Sequence, residues 1–159
     1  MGVRLRAASA ADLPLVERLL LEAGLVTAGV SEHIDHFLLA DEDGRIVAAA
    51  GLERYGAQAL LRSVAVAPGH RNHGLARSLV SLTLAAAGDE VQEVYLFTET
   101  AADYFRRFGF VPIHREEVAP PVRASKEYGE CCAGAQAMVL RLPSTGERGV
   151  SQRTVGGWR

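Results

Sequence analysis

The 159-residue chain carries 17 Lys and Arg against 19 Asp and Glu, a formal net charge of −2. It has 48% hydrophobic and 23% charged residues, enough apolar material for one domain with a sizeable core and short for two. This balance speaks against nucleic acid or an acidic membrane held by bulk electrostatics, and no apolar run approaches the ~18 residues a bilayer span needs. The opening MGVRLRAAS lacks the apolar centre of a signal peptide. The two cysteines are the adjacent Cys131 and Cys132, which cannot staple a fold, so a reduced, cytoplasmic setting is expected.

Val3, Leu5 and Ala7 alternate with Arg4 and Arg6, which predicts a first strand. A helix follows, capped by Ser9 with Asp12 three residues on or by Asp12 itself, with Pro14 favouring the second choice. Leu13, Val16, Leu20 and Ala23 form its buried stripe and Gly24 ends it. Residues 25–35 are ambiguous, with a short helix around Ser31-Glu32-His33. His36–Ala40 and Arg45–Leu52 read as strands joined at Asp41-Glu42-Asp43-Gly44.

A tight turn at Tyr55-Gly56-Ala57-Gln58 leads into a strand over Ala59–Ala67, buried on both faces except at Arg62 and Ser63. A helix is expected from Asn72 to Ala87, with stripes Leu75, Leu79, Leu82, Ala86 and Ala76, Val80, Thr83, Ala87. Then come a strand at Glu93–Thr98, a short helix at Ala101–Phe108, a strand at Phe110–His114, a helical turn after Pro120-Pro121, and a last strand at Ala135–Leu142. The polar, glycine-rich 143–159 stretch reads as a flexible tail. The element order is that of an α/β domain around a mixed sheet.

Between the strand ending at Ala67 and the next helix lies Pro68-Gly-His-Arg-Asn-His-Gly-Leu-Ala76. A helix N-terminus presents unpaired N–H groups and a partial positive charge. Gly74 removes the Cβ that would hold a phosphate away from the backbone, Ala76 is nearly as small, and Arg71 adds a fork of donors. The absence of Gly-Lys-Ser/Thr separates this loop from a nucleotide P-loop. An incidental strand-to-helix turn is the alternative.

Two spaced motifs carry a family resemblance. Val64-x-Val66-x-Pro68-x-x-Arg71-x-x-Gly74-x-Ala76 resembles the acetyl-CoA signature of the GNAT N-acetyltransferases, and Thr98-x-x-Ala101-x-x-Tyr104-Phe105-x-x-Phe108-Gly109-Phe110 resembles a second family segment, with Thr98 in the place of the usual Asn. The resemblance implies a GNAT domain over residues 1–142, with a mixed, mostly antiparallel sheet splayed at the acetyl-CoA strand and helices on both faces. It implies acetyl-CoA as cosubstrate, no metal, and direct transfer of acetyl to an amine. Amides of Arg71, Asn72, His73, Gly74, Leu75 and Ala76 would hold the pyrophosphate, and Val64, Ala65 and Val66 would pair with the pantetheine arm. The Val66 amide would face the thioester oxygen, and Thr98 would complete the coenzyme site. Relatives of this kind are often homodimers.

The chemistry needs a proton acceptor and an acid for the leaving thiolate. The family's usual tyrosine acid falls on Phe105, which cannot donate a proton, so either the adjacent Tyr104 is re-aimed to act as the acid or solvent protonates the thiolate. If Gly56-Ala57 is a two-residue turn, alternation puts Glu53 and Arg62 on one face, in line with Val64 and Val66, and turns Ser63 away. Arg62 could clamp an acceptor carboxylate, and Glu53 could hold the ammonium and accept its proton. A cross-strand ion pair is the bland reading of these two residues.

"GLERYG", "LFTETAADYFRRFGF" and "VRASKEYGECCAGAQAM" are similar to the amino-acid acetyltransferase branch, closest to the subgroup linked with arsenic resistance. In such relatives the segment of Arg123, Ser125 and Lys126 lies near the acceptor. The resulting expectation is a cytoplasmic N-acetyltransferase acting on a small amino-acid-like amine. A protein N-terminus, a polyamine or drug amine, or a silent acetyl-CoA-binding sensor are the alternatives. Neither the Cys131-Cys132 pair nor the five histidines show metal-site spacing.

Overall fold

The computed structural model describes residues 2–130 and 134–143; Cys131, Cys132 and all of the expected 143–159 tail except Pro143 lie outside the described residues. Seven strands hydrogen-bond in the order β1-β2-β3-β4-β5-β7-β6: β1 Val3–Ala7, β2 Phe37–Glu42, β3 Arg45–Tyr55, β4 Gln58–Val66, β5 Glu93–Thr98, β6 Val111–Ile113 and β7 Gln136–Arg141. Five helices join them: α1 Leu13–Glu22, α2 Val30–His33, α3 Leu75–Ala86, α4 Ala102–Arg106 and α5 Lys126–Glu130. The sequence-predicted order of elements is the observed one. No helix among the described residues is long and apolar enough to cross a membrane.

The chain divides into two compact units, 1–53 with 61–86, and 54–60 with 87–159. In the first, β1 pairs antiparallel with β2, and β2 with β3. Ser9 caps a 3-10 turn at Ala10–Asp12 through a capping box, and α1 starts directly behind it with Pro14 in its first turn. The Asp43-Gly44 turn between β2 and β3 takes positive φ at both residues, 51° and 90°. This suits a two-residue hairpin, so β2 runs two residues further than its turn-forming Asp41-Glu42 suggest.

Each face of this sheet is covered. Val16, Leu19 and Leu20 of α1, with Val30 and Ile34, pack on Phe37, Leu39, Ala49 and Ala65. On the other face Leu79 of α3 meets Ala40, Val47, Ala48 and Ala50, with Val64, Val66 and Leu75 at the margin. Each large side chain so buried contributes roughly 1.5–3 kcal/mol. In α3 the inward positions are Leu79, Val80, Thr83 and Leu84, while Leu82 of the predicted stripe stays 46% exposed. The helix starts at Leu75, three residues later than expected, because Asn72 and Gly74 have φ of 65° and 79°, outside helical space.

In the second unit, β5 pairs antiparallel with β7 and β7 with β6. The Gly56-Ala57 turn joins β3 to β4, and the start of β4 pairs parallel with β5 over Gln58–Leu60 and Glu93–Tyr95 only. Leu60, Tyr95, Val118, Val122, Ala137 and Val139 form this unit's core. Arg54 donates to Ala87 O at 2.6 Å, closing a carbonyl just beyond the end of α3.

Candidate active site

The end of β4 and the loop after it are where the structure departs most from a plain strand-to-helix turn. Ser63 has φ 60° inside the strand, a left-handed conformation that is uncommon for a residue with a side chain. The faces on either side of it record a one-residue slip. Ala65 lies in the α1–α2 core, whereas Val64 and Val66 pack toward α3. Glu53 and Arg62 belong to the Ala65 side, since Phe37 and Leu39 of that core pair with Gly51 and Ala49 of β3. A bulge at Ser63 therefore breaks the alternation.

This corrects the predicted alignment. Glu53 and Arg62 do share a face, but not that of Val64 and Val66, and Ser63 turns toward Arg62 rather than away. Arg62 and Ser63 are also buried, not the exposed exceptions of their strand. Arg62 Nε donates to Ser63 Oγ at 3.0 Å, Nη1 to Glu53 Oε2 at 2.6 Å and to Ala28 O at 2.7 Å, and Nη2 to Val26 O at 2.9 Å. Both the Glu53 and Arg62 side chains are 0% exposed. A guanidinium so engaged ties the loop between α1 and α2 to the sheet.

The other oxygen of Glu53, Oε1, stands 3.7 Å from Nε2 of His33, whose side chain is 21% exposed. Sequence reading passed over this histidine because no local spacing links it to Glu53. The contact exists because α2 folds back over β3.

Beyond the bulge, Ala67 N–H bonds Val47 O of β3 at 2.8 Å. Arg71 Nε donates to Val66 O at 3.0 Å, fastening the loop to the strand end. Arg71, Asn72, His73 and Gly74 are exposed, and Leu75 and Ala76 half-buried. Ser78 N–H to Gly74 O, 3.0 Å, closes the first turn of α3, so the amides of Leu75, Ala76 and Arg77 lie ahead of it without helical acceptors. A Cβ placed on Gly74 would meet no atom within 4 Å. The position that a side chain at residue 74 would take is therefore open.

In the second unit Thr98 Oγ1 accepts Ala101 N–H at 2.9 Å, tying the end of β5 to the start of α4. Tyr104 is half-buried, with ring centroids 5.3 Å from Phe105 and 5.6 Å from Phe108. Phe105 is buried and packs edge-on against Phe110. Arg123 donates Nε to Val118 O at 2.9 Å and Nη2 to Glu116 O, while Ser125 Oγ accepts Glu127 N–H at 3.1 Å. These two fold their own segment. Arg115, which the sequence did not single out, lies 4.4 Å from the Tyr128 ring centroid and 5.2 Å from that of Phe97. Among the described residues no group of three His, Cys, Asp or Glu side chains gathers in a form that could hold a metal.

A bulged strand followed by exposed amides at a helix start defines an α/β domain suited to an extended, anionic ligand. Residues 33–112, half of the chain, match the family model described as an acetyltransferase (GNAT) domain. The chain is 34% identical over 89 residues to an uncharacterised N-acetyltransferase of Chlorobaculum tepidum, a match covering 55% of this chain and 57% of that protein. Its fold is similar to N-acetylglutamate synthase from Neisseria gonorrhoeae, solved with coenzyme A and N-acetyl-glutamate (TM-score 0.75, 21% identity, 90% of this chain and 36% of that one). It is also similar to diaminobutyrate acetyltransferase from Paenibacillus lautus, solved with coenzyme A and L-2,4-diaminobutyric acid (TM-score 0.65, 18% identity, 88% and 95%). The chain belongs to the GNAT acetyltransferase family. It spans little more than half the length of the Chlorobaculum relative.

Proposed function

We propose that the protein is an acetyl-CoA-dependent N-acetyltransferase that moves acetyl directly to the amine of a small amino-acid-like acceptor. The observation that carries the coenzyme assignment is the left-handed Gly74, open at its Cβ position, immediately ahead of the α3 amides that lack helical acceptors. Arg71 to Ala76 would hold the pyrophosphate, and Val64 to Val66 would lie along the pantetheine arm. Acetyl-CoA supplies the activated acyl group.

The Val66 amide is the candidate donor to the thioester oxygen. Ala67 N–H points to β3, so the alternate Val66 N–H points the other way. The β4–β5 ladder stops at Leu60. A donor fixed by the strand and aimed at developing charge is the arrangement that stabilises an acyl-transfer transition state. Tyr104 is the candidate acid for the leaving thiolate.

At the acceptor end, Glu53 provides a buried negative charge that favours an ammonium nearby, and Arg62 acts by holding the Val26–Ala28 backbone beside it. An amino-acid acceptor agrees with the branch that the sequence resembles, and with the N-acetyl-glutamate and L-2,4-diaminobutyric acid held by two structures of similar fold. The arsenic-resistance link rests on sequence resemblance alone.

The test is thiol release from acetyl-CoA across free amino acids, short peptides and polyamines. Turnover confined to free amino acids is the expected result. Tight coenzyme binding with no turnover on any acceptor would instead identify a silent acetyl-CoA-binding module.

A further inference from the structure

We propose that His33 is the group that takes the proton from the acceptor's ammonium, with Glu53 positioning its ring; the assignment rests on the transferase reading above. Glu53 divides its carboxylate between two partners. Oε2 lies 2.6 Å from Arg62 Nη1, and Oε1 lies 3.7 Å from His33 Nε2. Of these three side chains two are 0% exposed, and His33, at 21%, is the one an incoming amine can reach. A nitrogen base oriented by a buried carboxylate is the arrangement that proton transfer to a partly exposed imidazole requires.

The turn that carries His33 is anchored on both sides. Val30 and Ile34, buried on one side of the α2 turn, anchor His33 in the α1–α2 core. Gly29, with φ 85°, turns the chain into α2, and the carbonyls of Val26 and Ala28 just before it are gripped by Arg62. A base carried on a half-turn fixed at both ends keeps its geometry when the acceptor binds.

The proton and bond changes balance without a further reactant. The acceptor's R–NH3+ gives one proton to the imidazole. The freed amine nitrogen forms a C–N bond to the acetyl carbonyl carbon while the C–S bond breaks. The surplus proton on that nitrogen makes good the one that the acid gives to the departing sulfur, and His33 releases its proton to solvent. General-base assistance of this kind contributes about 10²–10⁴-fold.

The experiment compares wild type, His33→Gln and His33→Ala, using acetyl-CoA with whichever free amino acid wild type turns over fastest. Coenzyme A affinity by titration calorimetry and melting temperature are measured alongside. Both variants are expected to keep coenzyme affinity and melting temperature while kcat falls about 100-fold or more. Added imidazole is expected to restore part of the His33→Ala rate, which a merely structural histidine would not allow. A His33→Gln kcat within about twofold of wild type would overturn the assignment. So would a loss that appears only in KM, or a loss in His33→Ala that imidazole does not relieve. Wild type that turns over no acceptor would overturn the transferase reading and the base with it, an outcome distinct from a failure at His33 alone.

Discussion

Replacing Arg62 by leucine is the sharpest test of how the candidate site is built. The side chain is fully buried and makes four hydrogen bonds, to Ser63 Oγ, Glu53 Oε2, Ala28 O and Val26 O. Leucine removes all four at once and leaves the Glu53 carboxylate without its cation at 0% exposure. Removing one partner of a buried ion pair costs about 3–5 kcal/mol, because the remaining charge stays buried without the cation that compensated it. At roughly 2–4 °C per kcal/mol for a chain of this size, the melting temperature should fall by about 10 °C. The double variant Arg62→Leu/Glu53→Leu should recover much of that loss, since two apolar groups no longer strand a charge. Urea unfolding followed by circular dichroism measures both variants. A single variant that loses less than about 1 kcal/mol, or a double variant costing the sum of the two singles, would refute the reasoning. Either result would mean that Glu53 does not depend on Arg62 for its charge.

Four further outcomes follow from separate features. Asp12 is held well below the ordinary carboxylate range, chiefly by its hydrogen bonds from Arg6 and then by the Ser9 amide and hydroxyl. A depressed folded-state value means the unfolded chain binds the proton first. This stability is therefore fully present above about pH 4 and is lost as pH falls through the folded value; an acid titration by circular dichroism should show a shallower acid limb for Asp12→Asn. At Gly51 an added Cβ would sit 2.3 Å from the Phe37 ring, so Gly51→Ala should cost about 1–3 kcal/mol in urea unfolding, and Phe37→Leu in the same chain should return part of it. Gly74→Glu places a negative side chain before α3 at a residue with φ 79°, so it should cost about 1–2 kcal/mol of stability and weaken coenzyme A binding at least tenfold by calorimetry; normal binding would remove the loop from the coenzyme site. Tyr104→Phe should lower kcat about tenfold with coenzyme affinity unchanged if its hydroxyl protonates the thiolate.

Much of the fold was legible because its signals are local. Alternation marked β1, Gly56-Ala57 placed the β3–β4 turn, and Glu93–Thr98 fell on β5 to the residue. The late start of α3 has a local cause too, but one that residue type states weakly. Asn72 and Gly74 tolerate positive φ without requiring it, and here both adopt it. Other site contacts had no local signal at all. His33 meets Glu53 through the return of α2 over the sheet, and Arg62 meets Val26 and Ala28 across more than thirty residues of chain.

Ser63 is the position where a correct local rule led to a wrong face. Period-two alternation holds along β4 up to Arg62, and nothing about serine announces a left-handed residue inside a strand. Once the bulge is present, one strand serves two environments. Its first part shows Arg62 to the α1–α2 core and its buried carboxylate, and its last part shows Val64 and Val66 to α3. Without the slip, the charged pair and the two valines would share a face. Either Arg62 and Glu53 would then be driven against the apolar underside of α3, or the valines would leave it. The strain at Ser63, of order 1–2 kcal/mol for a residue with a side chain in this region, is offset by its Oγ accepting from Arg62 Nε. The bulge and the buried charge cluster thus support each other, and Ser63→Gly should separate them, relieving the backbone while leaving Arg62 Nε without its hydroxyl.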